Sequence, residues 1–389
     1  MTKKIFIISS VLLALVVGAI FVYNYAFKKP SVKDELDIKK STKTEEGKLG
    51  EIPSEDIEEK NLPITAISDE PVFGATLSPD GKFIYYFLKN NGQLNKVGFD
   101  GRLEKVLAEN PSLVNLKEAV WNKQKNKVIA KTEISTDKLK YYHYDLTAKS
   151  FTPLKDNIDS VAWSSLGDKI IYKYYDSKTK KRAISVSDSN GKNWRDLTNF
   201  DHFGVNISPI PGSSLISFWP APNAFTPTSV NTINFSGEDK KEILKDRYGV
   251  DILWSPNGRW AAVSYTDQKG GHKTDLAIMN PRGGQFQTLF IPTFISKCVW
   301  SFDSQYLYCA LPVDIPATAT LPNDWQEGKI LTTDTFWKID TATGEKERMV
   351  ETEKINGNFD VIKPFLSQDG KTLFFVNKKD GKLYKLELE

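Results

Sequence analysis

From residue 62 onward, short apolar runs alternate with polar turns, and no segment has the apolar spacing of an amphipathic helix. The clearest example covers residues 75–108. ATLS (75–78) predicts a first strand, SPDGK predicts a type I turn with glycine in the left-handed position, and KFIYYFL predicts a second strand. QLNKVGF (93–99) and RLEKVLA (102–108) predict a third and a fourth strand. The pattern therefore indicates a four-stranded antiparallel unit.

This unit recurs along the chain. A bulky apolar anchor that precedes a small polar residue, a turn and an apolar run occurs at Leu77, Trp121, Trp163, Ile207, Trp254, Trp300 and Leu366. The intervals between them are 44, 42, 44, 47, 46 and 66 residues, and a period in the forties is typical of a propeller. Second strands such as WAAVSY are almost continuously apolar, as expected for sheets covered on both faces. The predicted fold class is all-β: a seven-bladed β-propeller of four-stranded antiparallel blades, preceded by one N-terminal transmembrane helix.

Closure of the ring gives a sharper expectation. The last unit contains FLSQ, KTLFFV and KLYKLELE, so it is one strand short. The segment LPITAIS (62–68) precedes the first inner strand and supplies the missing one. We expect it to pair beside residues 382–388, and Pro63 fits an outermost strand because an edge tolerates a lost donor.

The N-terminal segments have a different composition. After a short basic N-terminus (1–4), residues 5–27 are apolar almost throughout and, as a helix, are long enough to cross a bilayer of about 30 Å. They predict a transmembrane signal anchor. The alternative is a cleaved signal peptide ending near Val17-Gly18-Ala19. Residues 28–60 contain no aromatic residue and are about half charged, which predicts a charged flexible linker before a propeller over 61–389.

The expected location is the cell membrane, with a single span and the propeller extracytoplasmic. Lysines lie on both sides of the span, so local charge does not decide its orientation. The extracytoplasmic assignment depends on the common export of one long domain that follows a first span.

Composition excludes several classes of function. The formal net charge is +3, and no basic run interleaves with aromatic residues, so no nucleic-acid partner is expected. Three His and two Cys argue against a metal cluster, and no cofactor is predicted. The turn carboxylates Asp80, Asp168, Asp303 and Asp369 are interpreted as turn-forming residues rather than as a ring for ions.

Two cysteines, Cys298 and Cys309, lie eleven residues apart across a predicted hairpin of the sixth unit. An even turn would place them opposite each other, and a disulfide is then plausible outside the cytoplasm. Two packed free thiols are the alternative. The sequence leaves both open.

The SPDG-type hairpins with a preceding Trp or Leu resemble the TolB-type, WD-like propeller repeat of bacterial periplasmic proteins, and also the propeller of dipeptidyl-peptidase IV and prolyl oligopeptidases. The resemblance covers residues 62–389. It implies the fold and not an activity, since one propeller architecture serves many functions. TolB carries an additional α/β domain that residues 28–60 are too short and too polar to form. The peptidases carry a hydrolase domain, and this chain has no G-x-S-x-G motif, so their chemistry is not carried over.

Long connections between second and third strands are the best functional clue in the sequence. Three of them, on adjacent units, are WPAPNAFTPT (219–228), DQKGGHKT (267–274) and the segment after Leu311. Exposed aromatic and proline residues there suggest a recognition surface. The residues expected to form it are Trp219, Phe225, His272, Asp324 and Trp325. The alternative is that the third segment folds over the channel mouth with Trp325 buried.

These features lead to an expected function without catalysis. The sequence predicts a protein-interaction or scaffold module of the bacterial cell envelope that binds a protein or peptide partner; its oligomeric state is left open. The chain is not expected to be an enzyme. The alternatives are a hydrolase or lyase with a loop-assembled site, and a small-ligand sensor that uses the central channel.

Overall fold

The computed structural model describes residues 63–108, 113, 115–136, 138–202 and 204–388. The expected membrane span (5–27) and linker (28–60) lie outside these residues. Within the described ranges, no helix is both long and apolar enough to cross a membrane.

The described chain is built from antiparallel strands, and strands adjacent in sequence are adjacent in the sheets. The first sheet contains β2–β5: Val72–Leu77, Ile84–Leu88, Leu94–Val97 and Leu103–Ala108. The second contains β6–β9: Leu116–Trp121, Lys127–Ser135, Lys138–Asp145 and Ser150–Pro153. The third contains β10–β13: Ile158–Trp163, Lys169–Asp176, Lys181–Asp188 and Arg195–Asn199.

A seven-stranded sheet follows. It contains β14–β20: Val205–Pro209, Leu215–Pro220, Pro227–Asn234, Lys241–Trp254, Ala261–Thr266, Thr274–Met279 and Gln287–Thr288. Strand β17 has 14 residues. It pairs with β16 up to Tyr248 and with β18 from Tyr248 onward, so it ends one set of four strands and begins the next.

Two further sheets complete the described chain. One contains β21–β24: Cys298–Trp300, Tyr306–Pro312, Asp334–Asp340 and Lys346–Arg348. The other contains β25–β27 and β1: Val361–Leu366, Thr372–Asn377, Leu383–Glu387 and Ile64–Ala66. The described helices are one α-helix of four residues, α1 (Asn323–Gln326), and two 3₁₀ turns (Ile295–Lys297 and Thr352–Lys354).

The predicted pairing of the chain ends is confirmed. Strand β1 runs antiparallel to β27, with Ile64 opposite Leu386 and Ala66 opposite Tyr384. The backbone amide of Ile67 continues the pairing with a 2.8 Å hydrogen bond to the carbonyl of Leu383. The last sheet is therefore assembled from both ends of the described chain.

Neighbouring sheets pack through their apolar faces. Phe87 and Leu94 of the first sheet share a core with Leu116 and Val128 of the second. The recurring tryptophans add a hydrogen bond from each unit to the preceding one. Three indoles donate to a backbone carbonyl: Trp121 to Gly74, Trp163 to Val120 and Trp300 to Leu253. Trp254 donates to the Ser217 hydroxyl. The anchors of the sequence repeat are thus the residues that join one unit to the next.

The interpretation of the turn carboxylates is also confirmed. Asp80, Asp168, Asp303 and Asp369 each accept a hydrogen bond from the serine hydroxyl at the start of the same turn. Asp80, Asp303 and Asp369 also accept a hydrogen bond from a backbone amide two residues further on. These carboxylates are therefore used to form the hairpins.

Candidate functional site

The three long connections meet one another. The backbone amide of Ala224 donates a 2.8 Å hydrogen bond to Oδ1 of Asn323, and that of Leu321 donates a 3.0 Å bond to the carbonyl of Gly271. The Gly270 amide donates to the carbonyl of Ala224 at 2.7 Å. The segments 219–228, 267–274 and 313–333 therefore form one loop cluster.

The five predicted surface residues are not all at the surface. Phe225 is 53% exposed, and the exposed His272 has Nδ1 2.7 Å from the carbonyl oxygen of Ala319. Asp324 is half-buried and accepts a 2.7 Å hydrogen bond from the Thr320 amide. The expected exposure of Trp219 and Trp325 is wrong, because only 2% and 6% of these side chains are exposed.

Trp219 and Trp325 each have a carboxylate as their hydrogen-bond partner. Trp219 Nε1 donates to Oδ1 of Asp251 at 3.1 Å. Burial raises the pKa of Asp251 to about 6, although hydrogen bonds from the Ile252 amide, Trp219 and Asn206 oppose the shift. Trp325 Nε1 donates to Asp360 at 3.1 Å, and its ring stacks on Phe294 with centroids 4.5 Å apart. Polar partners inside the fold thus hold both indoles away from solvent.

A fully buried lysine holds the 313–333 segment in place. Lys297 Nζ lies 2.6 Å from a carboxylate oxygen of both Asp334 and Asp360, and it donates a 2.9 Å hydrogen bond to Thr332. Burial raises the pKa of Asp334 despite Lys297. Burial also acts to raise the pKa of Asp360, but the charge and hydrogen bond of Lys297, together with hydrogen bonds from the Thr332 amide and the Trp325 indole, lower it overall. Because these side chains are 0% exposed, they fasten the segment and do not face a ligand.

A cavity of about 380 Å³ is a better candidate for ligand binding. Residues of β2, β6 and β25 form its wall, together with four lysines: Lys89, Lys125, Lys363 and Lys378. No Asp or Glu of the described chain belongs to this wall. The volume suits a small ligand, and four lysines in a wall without carboxylates favour a negative one.

Lys125 has a positive φ at a turn position that is occupied by glycine in four other hairpins and by Ser304, with φ 65°, in a fifth. In four other hairpins a glycine occupies the left-handed position of the turn, with φ between 67° and 73°: Gly81, Gly167, Gly258 and Gly370. Lys125 occupies the equivalent position, since its amide donates to the carbonyl of Asn122 as that of Gly81 donates to Ser78. Its φ is 57°. A non-glycine residue is disfavoured there by about 1–2 kcal/mol.

The other lysines of the wall are held in different ways. Lys363 is exposed and also has a positive φ, 50°, at an irregularity in the β25–β26 pairing. Lys378 donates to the carbonyl of Trp325, and its ammonium lies 4.1 Å from the centre of that ring. Burial lowers the pKa of both Lys125 and Lys378; Asp360 opposes the shift at Lys378. An anion beside these ammonium groups would relieve the cost of their burial.

A second cavity, of about 320 Å³, adjoins the first. Thr76 and Lys125 belong to the walls of both. The remaining wall of the second cavity is apolar and includes Trp254, Trp300 and Phe302. Lys125 is therefore placed between a cationic cavity and an apolar one.

The wall of the apolar cavity includes Cys298. Of the two alternatives for the cysteines, the structure has the disulfide: Cys298 and Cys309 are opposite each other in the β21–β22 pair and are bonded.

Comparison with solved structures gives the fold. A structure of oligogalacturonate lyase in complex with manganese matches 84% of this chain and 93% of its own, with 11% identity and a TM-score of 0.60. Oligogalacturonate lyase from Vibrio parahaemolyticus matches 83% and 93%, with 11% identity and a TM-score of 0.59. The β-propeller domain of the Trilobed protease from Pyrococcus furiosus matches 82% and 94%, with 10% identity and a TM-score of 0.54. No protein-family model and no curated protein sequence matches the chain.

The fold is a β-propeller. The resemblance to propeller repeats expected from the SPDG-type hairpins is therefore confirmed. The expectation of a protein-interaction or scaffold module is corrected, because two of the similar structures are enzymes built on this fold. For the same reason, the fold gives no ground for the expectation that the chain is not an enzyme. In the described part of the chain no group of three or more His, Cys, Asp or Glu could hold a metal ion, so we derive no metal-dependent step.

Sequence reasoning missed the lysine-lined cavity. Its lysines come from three different sheets and share no motif. One signal was present: the turn NKQKNK has lysine where four other hairpins have glycine.

Proposed function

We propose that the domain binds a small anionic ligand in the lysine-lined cavity. The observation that carries this proposal is Lys125, which occupies a glycine position of the turn and reaches a wall without carboxylates. At this position a lysine costs free energy, because its backbone is strained and its ammonium group is buried in a wall without carboxylates. A bound anion would supply the missing counter-charge and offset that cost. The two similar lyases are named for an oligomer of an acidic sugar, which makes carboxylates the first class of ligand to test.

The test uses binding of paired probes to the full chain, measured by titration calorimetry. Trigalacturonate is compared with neutral maltotriose, and octanoate with neutral octanol. We expect at least one carboxylate to bind saturably and at least tenfold more tightly than its neutral counterpart, with an affinity that falls as salt rises. The proposal is overturned when neither carboxylate binds, or when each neutral probe binds as well as the acid.

Lys125→Gly is the decisive variant because it introduces the glycine found in four of the other turns. It should leave the free energy of unfolding unchanged or raise it by up to about 1 kcal/mol, while carboxylate affinity falls at least tenfold. Lys180→Gly is the matched control. Lys180 also has a positive φ, 61°, but it is exposed and lies outside the cavity wall. If Lys125→Gly and Lys180→Gly bind the carboxylate with equal affinity, the anion does not bind beside Lys125.

We also infer seven blades. This count follows when β17 is taken as the last strand of one blade and the first of the next. An experimental structure with six or eight sectors would contradict it.

We further propose a single-pass membrane anchor over residues 5–27 and an extracytoplasmic propeller. The apolar length of that segment and the Cys298–Cys309 disulfide support this, since disulfides persist in oxidising compartments. Protease added to intact cells should digest the domain. Full protection would reverse the orientation.

A further inference from the structure

The apolar cavity beside Lys125 has no role in simple anion binding. Apart from Thr76 and Lys125, its wall consists of Leu, Val, Pro, Trp, Phe and the bonded Cys298. The indole nitrogens of Trp254 and Trp300 are already used, the first by the Ser217 hydroxyl and the second by the carbonyl of Leu253. The side chains of this wall, apart from Thr76 and Lys125, therefore offer nothing to a polar group.

This wall discriminates between classes of anion. The hydroxyl groups of an acidic sugar that entered the cavity would lose their water without gaining partners, and each unsatisfied group costs roughly 1–3 kcal/mol. A hydrocarbon or aryl group has no such requirement and gains from burial. The apolar cavity thus favours a ligand whose charge stays near Lys125 and whose remaining surface is apolar.

We propose that the ligand is an amphipathic carboxylate. Its carboxylate pairs with Lys125 and the neighbouring lysines, and its alkyl or aryl group lies in the second cavity against Trp254, Trp300 and Phe302. The carboxylate complements the charge of the lysine-lined cavity, and the hydrocarbon or aryl group complements the apolar wall of the second cavity. Lys125 belongs to both walls. This inference rests on the proposed anion-binding function and names the class of ligand.

Two side chains allow a matched test. Phe302 lies in a hairpin turn, is 58% exposed and belongs to the wall of the apolar cavity. Leu166 lies in the equivalent turn of another sheet, is exposed to a similar degree and lies outside that wall. Since both side chains are on the surface, neither Phe302→Ala nor Leu166→Ala is expected to prevent folding.

The experiment measures binding of butyrate, hexanoate, octanoate, octanol and trigalacturonate to the full chain in lipid nanodiscs. Nanodiscs without the protein correct for partition of the probes into lipid. We expect the affinity to rise about tenfold for each two carbons added, the value that corresponds to burial of two methylene groups. Phe302→Ala should weaken octanoate several-fold while leaving butyrate unchanged, and Leu166→Ala should match the wild type for both.

The outcomes separate the two proposals. If butyrate binds as tightly as octanoate, or trigalacturonate binds more tightly than both, while Lys125→Gly weakens binding at least tenfold, the amphipathic assignment fails and the anion site stands. If octanol binds as tightly as octanoate, the carboxylate is not recognised and the amphipathic assignment also fails. If none of the carboxylates binds, the proposed function itself fails.

Discussion

Trp121 donates a 2.6 Å hydrogen bond from its indole nitrogen to the backbone carbonyl of Gly74, which lies 47 residues earlier in the chain. The bond crosses from β6 to β2 and so joins two sheets. Trp163 and Trp300 repeat it between later sheets, at 2.8 and 3.0 Å. A large ring that fills the space between sheets and also bonds the neighbouring backbone fixes both their spacing and their register.

Trp121→Phe tests the contribution of this bond. The substitution keeps an aromatic ring but leaves the Gly74 carbonyl without its donor, so the free energy of unfolding should fall by about 1 kcal/mol plus the smaller ring's loss of contact. Chemical denaturation measures it. Trp194→Phe is the control, because the indole nitrogen of Trp194 bonds Asp196 at an exposed position. An equal loss in both variants would show that the link to Gly74 contributes nothing specific.

The strands, the turns and the closure by β1 were predictable because they depend on local signals. Alternation of apolar and polar residues, an SPDG turn and a missing fourth strand are all visible in the sequence. The anchor tryptophans could be recognised as packing residues. Their hydrogen bonds to the preceding unit could not, because the partner lies in another repeat.

The candidate site was less predictable, for a physical reason. The exposure of Trp219 and Trp325 depends on Asp251, Asp360 and Phe294, which lie elsewhere in the sequence. Trp219 lies in β15 and Trp325 in α1, and the partners that bury them cannot be identified from the neighbouring sequence. Among the lysines of the cavity wall, Lys125 could have been noticed in the sequence, because four other repeats have glycine at the same position of the turn.

Lys297→Met tests the buried ion cluster. The substitution leaves Asp334 and Asp360 buried without their cation, and removal of one partner from a buried pair costs about 3–5 kcal/mol. Thermal and chemical denaturation should show a large loss, and protease should cleave the 313–333 segment faster. Lys329→Met removes two ion pairs of an exposed lysine, with Asp324 and Glu327, and should leave the stability nearly unchanged. If Lys297→Met unfolds no more easily than this control, the cluster does not fasten the segment.

His143 predicts a dependence of stability on pH. The side chain is 4% exposed, and its Nε2 has no hydrogen-bond partner among the described residues. Burial, aided by the charge of Lys127 and opposed by Asp145, lowers the pKa of His143 below its ordinary value near 6.5. The unfolded chain therefore binds the proton more readily, and stability is lost as the pH falls below about 6.5.

The measurement compares unfolding free energies at pH 8 and pH 5 in the wild type and in His143→Gln. The variant should lose less stability than the wild type over this interval, whatever its stability at pH 8. His202→Gln, at an exposed position, should keep the wild-type dependence. Parallel curves for the wild type and His143→Gln would exclude His143 as the source.

Carboxylate binding should weaken at alkaline pH. Burial lowers the pKa of Lys125, so its ammonium group loses its proton at a lower pH than an ordinary lysine, whose value is 10.5. Affinity for octanoate should therefore decline as the pH rises toward 10. A bound carboxylate favours the ammonium form, so binding in this range should take up protons. Calorimetry in two buffers of different ionisation enthalpy measures that uptake, and Lys125→Gly should reduce it, leaving the part that comes from Lys378. Affinity that stays constant between pH 7 and pH 10 would mean that the ammonium of Lys125 is not the group that holds the anion.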